Sequence, residues 1–222
     1  MEAMKSIPDH FFDLAICDPP YGINAPGMSM GSNRSRTKEK GGYPHESTAD
    51  RMRKERGTET WDIERPGPAY FRELFRISKN QVIFGYNYFS DLLPPTRCVI
   101  VWDKVQPWEA FAQAEIAWSS FDRPAILIRI SNTGGSNATK KIHQTQKPVS
   151  LYEAIIYKLT EPGQKIIDTH AGSGALAVAA NNTGRDWLAF EINPATFKDA
   201  AAWIEQERAQ ENIFNYERSM RQ

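Results

Sequence analysis

Short apolar runs that stop abruptly alternate along this chain with stretches at helical spacing. Leu14-Ala15-Ile16-Cys17 is followed at once by Asp18 and two prolines. Such a run reads as a buried parallel strand that ends at the acid, because proline donates nothing to a ladder and drives the preceding residue out of helix. Met1, Met4 and Ile7 give a brief amphipathic entry before it. Phe71, Leu74, Phe75 and Ile77 predict a helix over Ala69–Ser78, and Gln81–Phe84 a strand after it. Gly85-Tyr86-Asn87-Tyr88-Phe89 follows that strand, and Leu92–Pro95 closes a next helix. Cys98–Trp102 predicts a third strand, ending in Asp103-Lys104, and Ala114–Phe121 and Ala125–Ile130 two more that form an antiparallel end of the sheet. Leu151, Ile155, Ile156 and Leu159 make one stripe of a helix over Val149–Leu159, ended by Pro162-Gly163. The chain then closes as βαβα: Lys165–Asp168, a glycine turn, an alanine-rich helix from Ala175, the strand Trp187–Phe190 ending in Glu191, and a helix from Pro194 to about Asn212. Alternation of this kind predicts an α/β fold around a largely parallel sheet.

Polar composition marks two interruptions. Residues 25–60 hold the cations Arg34, Arg36, Lys38, Lys40, Arg51, Arg53, Lys54 and Arg56 with almost no aliphatic residue, against Glu39, Glu46, Asp50, Glu55 and Glu59. A stretch that long without apolar periodicity is a solvated mobile insertion or a basic flap that orders on a polyanion. Between Arg123 and Lys147 lie Arg129, Lys140 and Lys141 and no carboxylate, around a Ser/Asn/Thr/Gly-rich centre. A plain linker and a loop that meets phosphates and base edges both fit that composition.

The totals narrow the classes. At 222 residues the chain is a single domain, 1–222, with an insertion. Lys+Arg and Asp+Glu both number 27, so only local charge placement speaks for a nucleic-acid partner. Cys17 and Cys98 each sit inside an apolar run with no ligand spacing around them. That fits a reducing, cytoplasmic setting and argues against a structural metal. No apolar run approaches the ~20 residues of a membrane span.

Two constellations carry chemistry. Asp18-Pro19-Pro20-Tyr21 places a carboxylate and prolyl carbonyls at a strand's carboxyl end beside an aromatic ring, an arrangement that would bind a planar exocyclic amine. An ordinary strand-ending turn accounts for the four letters equally well. Asp168, Gly172, Gly174 and Glu191 form the second: glycines two apart after a strand, then an acid at the end of the following strand to accept ribose hydroxyls. A dinucleotide fingerprint would want a further glycine where Ala177 stands, so a nucleoside without pyrophosphate fits better.

Asp18-Pro19-Pro20-Tyr21, His143-Gln144-Thr145-Gln146-Lys147-Pro148, Asp168-Thr169-His170-Ala171-Gly172-Ser173-Gly174 and Glu191-Ile192-Asn193-Pro194, in that order, resemble the beta-group amino-methyltransferases that act on DNA. The resemblance covers residues 18 to 194. It implies a circularly permuted, Rossmann-like sheet of about seven strands with helices on both faces, and S-adenosylmethionine (SAM) as methyl donor. It implies further that Asp168, His170, Gly172, Ser173, Gly174, Glu191 and Asn193 line the cofactor, with Thr145, Gln146 and Lys147 over its amino-acid end. Asp18, Pro19, Pro20 and Tyr21 would form the catalytic corner that takes an adenine turned out of double-stranded DNA. Arg34, Arg36, Lys38, Arg129, Lys140 and Lys141 would meet the nucleic acid, with 123–142 as a short target-recognition segment. His170 stands where the family usually has an apolar aromatic. Cytosine N4 as the target, a non-catalytic SAM- or DNA-binding remnant, and a homodimer all stay open, as does a cognate endonuclease.

Overall fold

A computed structural model describes residues 1–25, 57, 61–106, 112–132 and 146–219, with side chains through 210. Helix α1 (Glu2–Lys5) leads into β1 (Phe12–Cys17); α2 (Pro68–Ile77), β2 (Ser78–Phe84) and the single turn α3 (Tyr86–Phe89) follow. Then come β3 (Ile100–Asp103), β4 (Ala114–Ser119), β5 (Ile126–Arg129), α4 (Val149–Leu159), β6 (Lys165–Asp168), α5 (Ala175–Asn182), β7 (Asp186–Ala189) and α6 (Pro194–Ser219). The basic stretch 25–60 lies outside the described residues except for Ala25 and Gly57, as do Lys140, Lys141 and Thr145.

The seven strands form one sheet in the order β5, β3, β4, β2, β1, β6, β7. β1 is central and runs parallel to both neighbours, Leu14 pairing with Asn80 of β2 and with Ile166 of β6. Its four-residue apolar run is what a strand buried on both faces requires. Leu14, Ile16, Val82, Phe84 and Ile166 pack beneath α4 and α5 and the Trp203–Ile204 turn of α6. Ala15, Cys17, Ile83 and Ile167 pack beneath α1, α2 and Phe89 of α3. Helices therefore cover both faces, as the family resemblance implies.

Three details differ from the sequence pattern. β4 alone is reversed, pairing antiparallel with β2 and β3, whereas β5 runs parallel to β3. The chain does reverse between β4 and β5, but β3 is inserted between them; a local pattern records the reversal and not the insertion. Helix α3 is one turn rather than a longer helix ending near Leu92. Helix α6 continues to Ser219, because no glycine or proline follows Pro194 to stop it. Its start is capped by Asn193, whose Oδ1 accepts the Thr196 N–H at 2.9 Å with Pro194 in the first turn.

Candidate active site

From β1 the chain passes through α2 to β2 on one side, whereas β6 leads on to β7 on the other. The carboxyl ends of β1 and β6 thus border the point where the winding reverses, and a crevice opens there in sheets of this type. Register puts Ala15 opposite Ile167, so Asp18 and the turn that begins at Asp168 emerge from adjacent strands at the same edge. The two constellations, separated by 150 positions in the chain, share one rim.

Asp18 is held from both sides. The Tyr21 hydroxyl donates to its Oδ1 at 2.5 Å, and the Lys147 ammonium donates to its Oδ2. Burial and the neighbouring Asp18 push the Tyr21 phenol well above its usual pKa, so it stays a donor. Lys147 also stands 3.1 Å from Glu115 Oε2 and 4.6 Å above the Phe84 ring. Glu115 Oε1 in turn pairs with Lys104 at 2.6 Å. Burial alone would push the Lys147 ammonium down, but Asp18 and Glu115 outweigh it and hold it above its usual range. Burial works on Glu115 in the other direction, and Lys147 and Lys104 outweigh it to hold that carboxyl below its usual range. Charges alternate from the corner into β4, which lets four ionised groups share a poorly hydrated space.

The Tyr21 ring stacks on Tyr88 with centroids 4.8 Å apart and planes 16° from parallel. It also lies against Gly85, whose φ of 77° begins α3; a Cβ there would sit 2.3 Å from Tyr21 Cε1. From the sequence Tyr21 is an aromatic face alone; in the fold it also orients Asp18.

The second constellation is an acidic seat around a tight turn. Asp168 is 3% exposed and its Oδ1 accepts the His170 N–H at 2.9 Å. Glu191, at the end of β7, accepts the Gly172 N–H through Oε2 at 2.9 Å and the Asn193 N–H through Oε1 at 2.8 Å. Each of its oxygens keeps a lone pair for a further donor. Gly174 takes φ 81° at the start of α5, and a Cβ there would meet Ile204 Cδ1 at 2.9 Å. Ser173 is buried beside it, and Ile192, next to Glu191, is 98% exposed. Beneath the turn, Thr169 Oγ1 lies 2.7 Å from the Tyr70 hydroxyl and 3.0 Å from His170 Nδ1, and Tyr70 meets the His170 ring edge-on. His170 thus joins a polar network on α2, an arrangement an apolar ring cannot make.

Desolvation, with Asp18 and Glu191 nearby, pushes the Asp168 carboxyl up to about 7. In the unfolded chain it would titrate near ~3.9. Between these values the folded protein binds a proton that the unfolded chain does not. The stability from this group is therefore complete below about pH 4 and is lost as pH rises through about 7, by on the order of 4 kcal/mol. Desolvation lowers His170 to about 4, and the stability it contributes is lost as pH falls, over a window that overlaps the first. We expect Asp168→Asn to melt close to the wild type at about pH 4, somewhat above it at pH 5 and several degrees above it at pH 8. Equal melting temperatures at pH 8 would contradict a carboxyl poised this way. A buried acid of this kind is a seat for a cation.

Of the residues anticipated from the sequence, Asp18, Pro19, Pro20 and Tyr21 and Asp168, His170, Gly172, Ser173, Gly174 and Glu191 line this one rim. The Asn193 amide oxygen is taken up in capping α6. The Lys147 ammonium lies on Asp18, and Gln146 beside it is buried. Arg129 is remote, at the sheet edge, 3.2 Å from Asp103. Sequence reasoning missed Glu115, Lys104 and the fully buried Asp62. The only local signal for Glu115 is an acid inside the apolar alternation of Ala114–Trp118; its partners come from elsewhere in the chain. Among the described residues no helix is long and apolar enough to cross a membrane.

Comparison with known proteins agrees with this arrangement. Residues 44–202 match the family model for N6/N4 DNA methylases. The Type II methyltransferase M.HpaI of Haemophilus parainfluenzae is 22% identical over 93% of this chain and 72% of its own length. The cytosine-N4-specific PvuII DNA methyltransferase superposes with a TM-score of 0.55 at 15% identity, over 89% of this chain and 81% of that one. The Thermus thermophilus protein TTHA0409, solved in complex with S-adenosyl-L-methionine, gives 0.53 at 17% identity over 93% and 90%. With a matched region spanning more than half of its length, and an acid-proline corner and a glycine turn brought to one sheet edge, this chain belongs to the N6/N4 DNA methylase family: it is a DNA amino-methyltransferase.

Proposed function

We propose that the protein methylates the N6 amino group of adenine in double-stranded DNA, taking the methyl group from SAM, with the target base turned out of the helix. The observation that carries this is the adjacency of Asp18 and Asp168 at the ends of paired strands. The residues around Asp168 fit the cofactor's chemistry. A desolvated carboxyl with no cation bonded to it among the described residues, Lys147 acting on it only at a distance, suits the positive amino-acid end. Glu191 has lone pairs left for ribose hydroxyls, and exposed Ile192 offers an apolar face to a purine ring. SAM supplies a methyl group on a sulfonium.

What the chain must supply is an amine ready to receive it. The lone pair of an adenine amino nitrogen is delocalised into its ring. Asp18 and the Pro19 carbonyl accept its two N–H groups and favour a pyramidal nitrogen whose lone pair points out of the ring plane. Tyr21 and Lys147 fix the Asp18 carboxylate without using all its lone pairs, so an amine donor can still be accepted there. After transfer, Asp18 is placed to take the surplus proton from nitrogen. Extruding the base costs a few kcal/mol, offset by packing against the Tyr21–Tyr88 pair. Arg129, and the cations Arg34, Arg36, Lys38, Lys140 and Lys141 of the basic stretches, are proposed to meet DNA phosphates.

Adenine is favoured by the aspartate that opens the first motif, which the resemblance associates mainly with adenine. Cytosine N4 is the second reading, favoured by the fold shared with the PvuII enzyme. Incubating the protein with methyl-labelled SAM and DNA, then digesting to deoxynucleosides, is expected to put label in N6-methyldeoxyadenosine. Label in N4-methyldeoxycytidine would select the second reading, and no label in either would defeat both.

A further inference from the structure

Two successive prolines give the catalytic corner no N–H with which to anchor itself. The next donors along the chain are those of Tyr21 and Gly22, and both go to one oxygen. Asp62 Oδ1 accepts the Tyr21 N–H at 2.5 Å and the Gly22 N–H at 2.9 Å, and Oδ2 accepts the Ala25 N–H at 2.9 Å. The Asp62 carbonyl accepts the Asn24 N–H at 2.8 Å. Asp62 is 0% exposed, and among the described residues no cation pairs with it and its carboxylate is compensated by backbone N–H groups. A buried carboxylate satisfied in this way is costly to form unless the donors converge, so the loop's path and the acid's position fix each other. Three residues on, Arg65 forks onto both oxygens of Asp91 at 2.8 and 2.6 Å and also donates to the Tyr88 carbonyl. The segment 61–65 therefore ties the Asp18–Tyr21 corner to the helix that carries the ring stacked on Tyr21.

We propose that Asp62 is a positioning residue for methyl transfer. By holding the Tyr21 and Gly22 peptides it sets where Asp18 and the Pro19 carbonyl point, and Arg65 completes the clamp by seating Tyr88. This deepens the methyl-transfer reading and rests on it. Asp62 touches no reacting atom, so its effect must appear in turnover and not in cofactor binding.

Asp62→Ala is expected to lower kcat by about 100-fold, the scale of a displacement of about 1 Å at a reacting centre. SAM affinity, measured without DNA, is expected to stay within about threefold of wild type. Amide exchange across residues 18–25 is expected to accelerate by about tenfold or more, with the β6–α5 turn unchanged. Asp62→Asn, which keeps the oxygen shared by Tyr21 and Gly22, should restore kcat to within about tenfold of wild type. If the alanine variant does not fold, the asparagine variant carries the test: the Ala25 N–H alone should exchange faster. In Asp62→Ala, unchanged exchange at 18–25, kcat within about threefold of wild type, or SAM affinity falling in step with kcat would each overturn the proposal, as would unchanged exchange of the Ala25 N–H in Asp62→Asn. A wild-type protein that transfers no methyl group would defeat the methyl-transfer reading instead, and the exchange measurements would still judge the clamp.

Discussion

Asp18→Ala is expected to cut methyl transfer by about a thousandfold or more while SAM still binds, because removal of a preorganised polar partner of the reacting group costs that much in a poorly hydrated site. The cofactor side of the rim, built from β6, the glycine turn and Glu191, does not depend on Asp18 for its hydrogen bonds. The substitution also removes one of the two carboxylates that compensate Lys147, whose side chain is 4% exposed. Glu115 remains, so the loss of stability should be on the order of 2 kcal/mol rather than the larger figure for an ammonium left with no partner. Initial rates with labelled SAM, SAM affinity without DNA and a thermal melt separate these effects. Transfer near the wild-type rate would remove Asp18 from the reaction. Loss of SAM binding together with transfer would mean that the two halves of the rim are not separable as the hydrogen bonds indicate.

Gly85→Ala should rank next in effect. The residue adopts a left-handed conformation, which costs an alanine about 1 kcal/mol. The added Cβ would lie 2.3, 2.7 and 2.8 Å from three atoms of the Tyr21 ring. That ring cannot yield freely, since its hydroxyl is bonded to Asp18 and its face is stacked on Tyr88. Displacing it should raise the total destabilisation to about 2–4 kcal/mol and reduce kcat by about 100-fold, because Tyr21 carries Asp18 with it. Gly163→Ala is the control. It has a similar φ of 79° with nothing within 4 Å of the added carbon, so it should show the backbone cost alone and leave kcat unchanged. If the two variants lost equal stability and equal activity, the Gly85–Tyr21 contact would be irrelevant to the site.

Glu115 shows where one-dimensional reasoning ended. It reads as a polar interruption of a strand, and nothing near it in sequence announces a charge network. Its significance comes from β4 running antiparallel beside β2, which brings it to Lys147, itself 32 positions further along the chain. Asp62 was hidden for a related reason: all four of its bonds go to residues about 40 positions earlier, a separation over which no periodicity persists. Asp18 and the glycine turn were legible because proline, glycine and an abrupt change from apolar to acidic each constrain the backbone locally.

Residue spacing is enough to specify most of the elements in order: four apolar residues halted by Asp18-Pro19-Pro20, the stripe of Val149–Leu159, and the closing βαβα with acids at its strand ends. These follow from local backbone sterics and from burial of one face, which leave their mark in residue spacing. Folding in three dimensions is what places β3 between β4 and β5, brings the Tyr21 hydroxyl and Lys147 together on Asp18, and sets Asp62 against the corner. Those outcomes depend on strand order and on the pairing of distant charges, for which many arrangements share the same local pattern.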